Sequence, residues 1–261
     1  MSYVIAVSNE KGGVAKTTTT LSLGAALAEI GNSVLLIDLD PQANLTLAVG
    51  LEVSKISTSS SNILIESVPL LKAIQKTEID KVDLIPAHPN IESAEQYLPM
   101  RTNYTSAMRR AINQAQPLPY EFVLMDCPPF LGAITQNALS AADLLVIPTQ
   151  AEFFSAYALR NMMGIIRRIR QENNPGLAYR ILITMLDRRN RTHRNIEEQL
   201  KNTFGQGLFE TAIEIDTKLR ESPIAGLPIT KFKPGTRGSL QYRMLAQELV
   251  EYVQEKSRQQ A

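Results

Sequence analysis

The first thirty residues confine the chain to few folds. Tyr3-Val4-Ile5-Ala6-Val7 is a short apolar run of the kind that forms a fully buried strand. Leu21, Leu23, Ala26, Leu27 and Ile30 follow as one helix, closed by Gly31. Between them lies Lys11-Gly12-Gly13-Val14-Ala15-Lys16-Thr17-Thr18. A strand, a glycine turn and a helix N-terminus in direct succession make an anion site, because the turn's backbone N–H groups converge and the helix dipole adds partial positive charge. In that geometry Lys16 brings a full charge to the β- and γ-phosphates of a nucleotide and Thr17 offers a hydroxyl to Mg2+, while Gly12, Gly13, Val14, Ala15 and Thr18 complete the cradle. The stretch departs from the standard G-x-x-x-x-G-K-[ST] pattern. Glu10 and Ala15 stand where that pattern has glycine, and a second lysine, Lys11, precedes the glycine pair. Ala15 is expected to hold a backbone angle that a residue with a Cβ accepts.

Beyond this unit, apolar runs at 34–37, 82–86, 122–126, 144–148, 180–185 and 212–215 read as six further strands. Helical spacing covers 91–98, 104–115, 134–142, 155–172 and 240–255, with another helix opened by Thr192 or Asn195 and running toward Phe204. Residues 54–62, rich in Ser and Thr, read as an exposed loop, and 63–74 as a helix interrupted near Pro69. Strands alternating with helices imply an α/β fold: one doubly wound, mainly parallel sheet with helices on both faces, in one domain over residues 1–261. A hydrophobic content of 44% supplies the core. The lone cysteine, Cys127, excludes an internal disulfide and a metal site of several thiolates, and it reads as a packing residue. The N-terminus enters a strand at once and no apolar run approaches ~20 residues, so a cytoplasmic protein is expected.

Charge is unevenly distributed. From Arg160 to Arg194 there are nine arginines and only two acids, Glu172 and Asp187, which makes that segment +7 and the remainder −6. This is the footprint of a polyanion-binding face on an acidic body. Acids gather elsewhere at strand ends. Asp38-Leu39-Asp40-Pro41-Gln42 follows the second strand, and two carboxylates there suit the outer shell of magnesium and a nucleophilic water. Asp126, closing the apolar run 122–125, suits the metal through its waters.

The two-lysine loop K-G-G-x-x-K-T, the D-x-D-P-Q segment and Asp126-Cys127-Pro128-Pro129 together resemble the ParA/MinD family of ATPases, over nearly the whole chain. That resemblance implies ATP and Mg2+ as cofactors, slow hydrolysis stimulated by a partner, and an ATP-dependent sandwich homodimer in which Lys11 reaches the nucleotide of the other subunit. It implies that Asp40 positions the attacking water and that Thr17, Asp38 and Asp126 serve the metal. Met185 and Asp187, at the end of the sixth strand, complete the nucleotide contacts. Arg188, Arg189, Arg191, Lys218 and Arg220 become the candidates for nonspecific double-stranded DNA, placing the protein on the nucleoid, with a ParB-like or other cargo adaptor as further partner. Chromosome, plasmid and carboxysome are all possible cargoes of this pattern. A MinD-like membrane protein is the alternative, and the acid-rich last helix does not suit it. An iron–sulfur relative needs more than one cysteine, and an amide-ligase relative has no need of the arginine concentration.

Overall fold

The computed structural model describes residues 2–152 and 155–260. Seven strands form one sheet: β1 (Tyr3–Val7), β2 (Val34–Asp38), β3 (Gln75–Lys76), β4 (Val82–Ile85), β5 (Phe122–Asp126), β6 (Leu144–Gln150) and β7 (Ala178–Thr184). Their order is β3-β4-β2-β5-β1-β6-β7, and every pairing is parallel except that of β3 with β4. Period-two alternation assigns the side chains to two cores. Val4, Ala6, Leu35, Ile37, Val123, Met125, Leu145 and Ile147 face one side. Ile5, Val7, Val34, Leu36, Phe122, Leu124, Leu144 and Val146 face the other. Both faces are buried, which is why the strands read as unbroken apolar runs.

Helices α1 (Lys16–Glu29), α2 (Asn44–Ala48), α3 (Ser60–Glu66), α4 (Ala94–Tyr97), α5 (Ala107–Gln114), α6 (Ala133–Ala141), α7 (Ser155–Glu172), α8 (Arg191–Phe204), α9 (Lys218–Glu221), α10 (Ile229–Phe232) and α11 (Arg237–Gln260) connect and cover the sheet. On the second face α11 lies along α1: Tyr242, Leu245, Ala246 and Leu249 are fully buried, and the Tyr242 hydroxyl meets Thr19 Oγ1 at 3.1 Å. On the first face α7 buries Leu159, Met162, Ile166 and Ile169, the stripe expected from the sequence. From β1 the chain crosses to β2 on one side, whereas from β6 it crosses to β7 on the other. The crevice past the carboxyl end of β1 is therefore a topological switch point, where open α/β sheets bind ligands.

Four local expectations are corrected. Residues 54–62 are not simply an exposed loop: α3 starts at Ser60, and Ser59, Ser60 and Ser61 are buried, with Ser60 Oγ donating to the Asp38 carbonyl at 2.6 Å. The helix expected over 63–74 ends at Glu66, and Pro69 caps a separate 3-10 turn at Leu70–Ala73. Residues 212–215 contribute only an isolated bridge, Leu186 to Glu214, and the seventh strand is the two-residue antiparallel edge β3. Asn190, not Thr192 or Asn195, opens α8, its side chain accepting from Thr192 N at 2.9 Å.

Gly24 in the middle of α1 sets how closely this helix approaches β2. A Cβ there would lie 2.8 Å from Leu36 Cδ2 and 3.5 Å from Val34 Cγ1, both inside a sealed core. Gly24→Val should therefore push α1 off the sheet and cost about 1–3 kcal/mol, seen as a lowered urea midpoint at unchanged slope.

Candidate functional site

The carboxyl ends of β1, β2 and β5 converge on a cleft of about 580 Å3 beside the N-terminus of α1. Gly12, Gly13, Ala15, Lys16, Thr17 and Thr18 form one wall. Asp40, Gln42, Asn44, Leu47 and Ala48 form a second, and Pro129, Met185, Pro223 and Ile224 close it. The loop turns through two left-handed residues, Gly13 at φ +73° and Ala15 at φ +67°. The angle at Ala15 is one that costs a Cβ-bearing residue about 1–2 kcal/mol. Ala43 (φ +52°) and Met185 (φ +52°) repeat this strain at the head of α2 and the end of β7. Ala15 and Met185 line the cleft from different elements, the kind of local strain found at functional sites.

Under the cleft lies a buried charge cluster. Asp38 and Asp126 are register partners on adjacent strands and both are fully buried. Asp126 Oδ2 accepts from Thr17 Oγ1 at 2.7 Å and Oδ1 from Thr20 Oγ1 at 3.3 Å. Burial, followed by the charge of Asp38, holds Asp126 well above the ordinary carboxylate range. Asp38 is pushed up to about 6 by burial, against the pull of its hydrogen bonds. Its Oδ2 accepts from Thr46 N at 2.9 Å and Thr46 Oγ1 at 2.7 Å, and its Oδ1 from Asp40 N at 3.1 Å. Lys16, also buried, donates to the Lys11 carbonyl at 3.2 Å, and desolvation depresses its ammonium despite Asp126 and Asp40 nearby.

A helix N-terminus, a buried ammonium and a hydroxyl bonded to a carboxylate make a donor set for a polyphosphate with a hard cation. Oxygen donors are the right chemistry for magnesium, and Thr17 with Asp126 stands where the cation of such a pair would sit. Among the described residues no group of three or more His, Cys, Asp or Glu side chains could hold a metal alone, so phosphate oxygens and waters would fill most of its shell.

Not every expected residue reaches the cleft. Asp38 does not line it: its carboxylate lies beneath, beside Asp126, and bonds the turn 40–46. Val14 is buried, its carbonyl accepting from Thr184 Oγ1 at 3.1 Å. Asp187 lines a second cleft of about 620 Å3 with Arg188, Arg189, Glu214 and Arg237. Lys11 folds back on its own chain, its Nζ 3.0 Å from Gln150 Oε1 and 2.5 Å from Glu152 Oε2. The same Gln150 amide donates to the Gly13 carbonyl at 3.1 Å and to Met185 Sδ at 2.9 Å, tying the loop to the ends of β6 and β7. Cys127 is buried and its thiol is pushed up by desolvation, in keeping with a packing role. Gln150, Glu152, Thr20 and Thr46 escaped the sequence reading. Nothing local marks Thr46 or Glu152, although Thr20 closes a run of four threonines begun by Thr17.

Of the five cations expected to meet DNA, three are paired within the chain. Arg188 binds Glu214 at 2.8 Å and Glu197 at 3.3 Å, Arg189 binds Asp187 at 3.0 Å, and Lys218 binds Glu221 at 2.6 Å. Arg191 and Arg220 are exposed and have no carboxylate partner among the described residues.

Two outcomes follow from this geometry. Ala15→Gly removes the left-handed strain and should raise stability by up to about 1 kcal/mol, part of the gain being offset by glycine's extra freedom when unfolded. The native state also holds a proton on Asp38 up to about pH 6, against 3.8 for the ordinary side chain. Its contribution is complete below the lower value and is lost as pH rises through the upper one. In nucleotide-free urea titrations, Asp38→Asn should flatten the fall in stability between those two pH values.

Comparisons with known proteins agree with this arrangement. A family model described as an AAA domain matches residues 2–179. The sporulation initiation inhibitor protein Soj of Bacillus subtilis is 36% identical over 250 residues, covering 95% of this chain and 98% of Soj. The chromosome partitioning protein ParA of Caulobacter vibrioides is 36% identical over 249 residues, covering 95% and 93%. The crystal structure of cobyrinic acid a,c-diamide synthase from Mycobacterium smegmatis, with bound ADP and magnesium, superposes with a TM-score of 0.82 at 33% identity, covering 97% of this chain and 96% of that one. Identity of 36% to Soj and to ParA along almost the full length makes this chain, with its two-lysine loop at the switch point of a doubly wound sheet, a member of the ParA family of partition ATPases.

Proposed function

We propose that this chain binds Mg·ATP in the cleft at the head of α1, closes on a second copy of itself, and holds nonspecific duplex DNA until an adaptor on a cargo stimulates hydrolysis. The observation that carries this reading is the cleft itself: Lys16 and Thr17 on one wall, Asp40 on the other and Asp126 beneath. Lys16 would neutralise the β- and γ-phosphates, and Thr17 with Asp126 would hold the cation, which supplies charge compensation for the leaving phosphate. Asp40, with Oδ1 accepting from Gln42 N at 2.9 Å, would orient the attacking water. The adenine side would fall to Met185 and Pro223.

Exposed apolar side chains collect around this opening and support a second copy as the lid. Leu47 is 52% exposed and Ile224 88%, both lining the cleft, and Tyr157 (66%) and Phe130 (39%) flank Lys11 in the adjoining hollow. Lys11 would leave Glu152 and reach the nucleotide of the other copy. The bilayer alternative is weakened by α11, whose Tyr242, Leu245, Ala246 and Leu249 are consumed in packing and which leaves only Leu240 and Met244 as exposed large apolar side chains, and no described helix is long and apolar enough to cross a membrane. The single domain, the slow turnover and the adaptor are part of the same reading, as is DNA contact by Arg191 and Arg220, with Arg188, Arg189 and Lys218 exchanging carboxylates for phosphates.

Light scattering with Mg·ATP, and mobility shift of random-sequence duplex, test this reading. Lys16→Ala should weaken ATP binding by about 100-fold or more through loss of a charged phosphate contact. Asp40→Ala should keep ATP binding but slow turnover by about 10²–10⁴-fold, leaving a long-lived dimer. A strictly monomeric Asp40→Ala protein at saturating Mg·ATP would overturn the sandwich.

A further inference from the structure

The +7 segment of the sequence is only partly spent on the cations considered so far, and α7 carries much of the rest. Arg160, Arg167 and Arg168 are all exposed, and none forms an ion pair among the described residues. Arg167 makes only a 3.3 Å contact from Nε to the Met163 carbonyl, within its own helix. By contrast Arg170, near the end of α7, is occupied, with Nε on the Leu177 carbonyl at 2.8 Å and its guanidinium over the Tyr179 ring. Arg160 and Arg167 are two helical turns apart, about 10 Å along the axis, and lie on one face.

Between them on that face is Gly164. A glycine inside an 18-residue helix costs about 1 kcal/mol relative to alanine. No packing among the described residues explains it, since Gly164 is exposed and a Cβ there would meet no described atom within 4 Å. The missing side chain leaves a shallow gap flanked one turn on either side by a free guanidinium. Arg191 and Arg194, at the head of α8, are exposed as well, the latter donating to the Arg188 carbonyl at 2.6 Å.

We propose that this outer face of α7, with Arg160, Gly164, Arg167 and Arg168, is a docking surface for the phosphate backbone of duplex DNA. The inference rests on the DNA-binding reading above and moves its main contacts from the internally paired Arg188, Arg189 and Lys218 to α7. A nucleic acid fits better than a protein because no large apolar side chain is exposed between Arg160 and Gln171: Met162, Ile166 and Ile169 are buried in the core, and the exposed Tyr157 lies a turn ahead of Arg160, at the hollow beside the cleft. Protein interfaces depend on desolvated aromatic and aliphatic anchors, whereas backbone binding needs only positive charge and close approach.

The test compares full-length wild type with Arg160→Gln/Arg167→Gln in Mg·ATP, titrating a labelled random-sequence duplex over a range of salt. Losing two phosphate contacts per subunit should reduce the slope of log K against log salt by about 1.8 for each subunit engaged and weaken binding at least tenfold near 0.15 M salt, with ATP-dependent dimerisation retained. Gly164→Glu is a second probe that favours the helix and places a carboxylate in the gap. It should raise thermal stability while weakening DNA binding. Wild-type slope and affinity in both variants would overturn the α7 surface and leave the DNA reading standing. Absence of duplex binding by the wild type itself would overturn that reading, and this surface with it.

Discussion

Two carboxylates buried side by side are the constraint around which this molecule is built. Asp38 and Asp126 face each other across adjacent strands, both out of reach of water, with the Lys16 ammonium above them. Each charge brought out of water carries a penalty of several kcal/mol unless it is paired and hydrogen-bonded. The neighbouring polar groups answer that penalty: Thr17 and Thr20 on Asp126, Thr46 and the Asp40 amide on Asp38. Even so, both acids are held above their ordinary range. On the proposed reading, a divalent cation held by Thr17 and Asp126 would offset this repulsion. Five hydrogen bonds from four residues around the two carboxylates would thus serve the proposed bound state as well as the fold.

The second constraint is conformational. Ala15, Ala43 and Met185 sit in the left-handed region, and each joins a secondary element to the cleft. Glycine at these positions would relax the backbone, yet only Gly13 provides that relief. Gln150 compensates by cross-bracing: one amide touches Lys11, Gly13 and Met185, so three segments far apart in sequence share one polar hub. Strain distributed over a rim and held by a single side chain is a setting in which ligand contacts can alter several loops at once.

Much of this was legible in the sequence and some was not, for identifiable reasons. The core strands were readable because a parallel sheet covered on both faces shows as uninterrupted Val, Ile and Leu, and the loop before Lys16 was readable because its chemistry is carried by contiguous residues. The errors fall where tertiary contacts outweigh composition. Ser59, Ser60 and Ser61 look like loop residues, but they are buried because Ser60 supports the Asp38 carbonyl. Residues 212–215 have strand composition, yet Ile213 hydrogen-bonds to the end of β7 with too few neighbours to extend it. Asp38 was tied to the metal side by resemblance and by its place at a strand end, and neither shows that Thr46, eight residues later, also bonds its carboxylate. Glu152 stands 141 residues from Lys11 and left no trace in any local pattern.

That last contact defines what the resting chain must give up. The pair of Lys11 with Glu152 is partly exposed, with side chains 28% and 49% accessible. Pairs of that kind contribute about 0–1 kcal/mol, since water screens the attraction and ordering two long side chains opposes it. Lys11 is thus held in place on its own chain without being held tightly. A triphosphate offers several charges in a desolvated setting, where each charge-assisted contact is worth about 1.5–3 kcal/mol. On the proposed reading, exchange of Glu152 for the other copy's nucleotide is downhill once the apolar rim of Leu47, Phe130, Tyr157 and Ile224 excludes water around it. With diphosphate alone the contact is poorer and the internal pair can compete. A weak internal ion pair beside a strained loop is therefore a physically sufficient basis for a chain whose association follows the phosphate it holds.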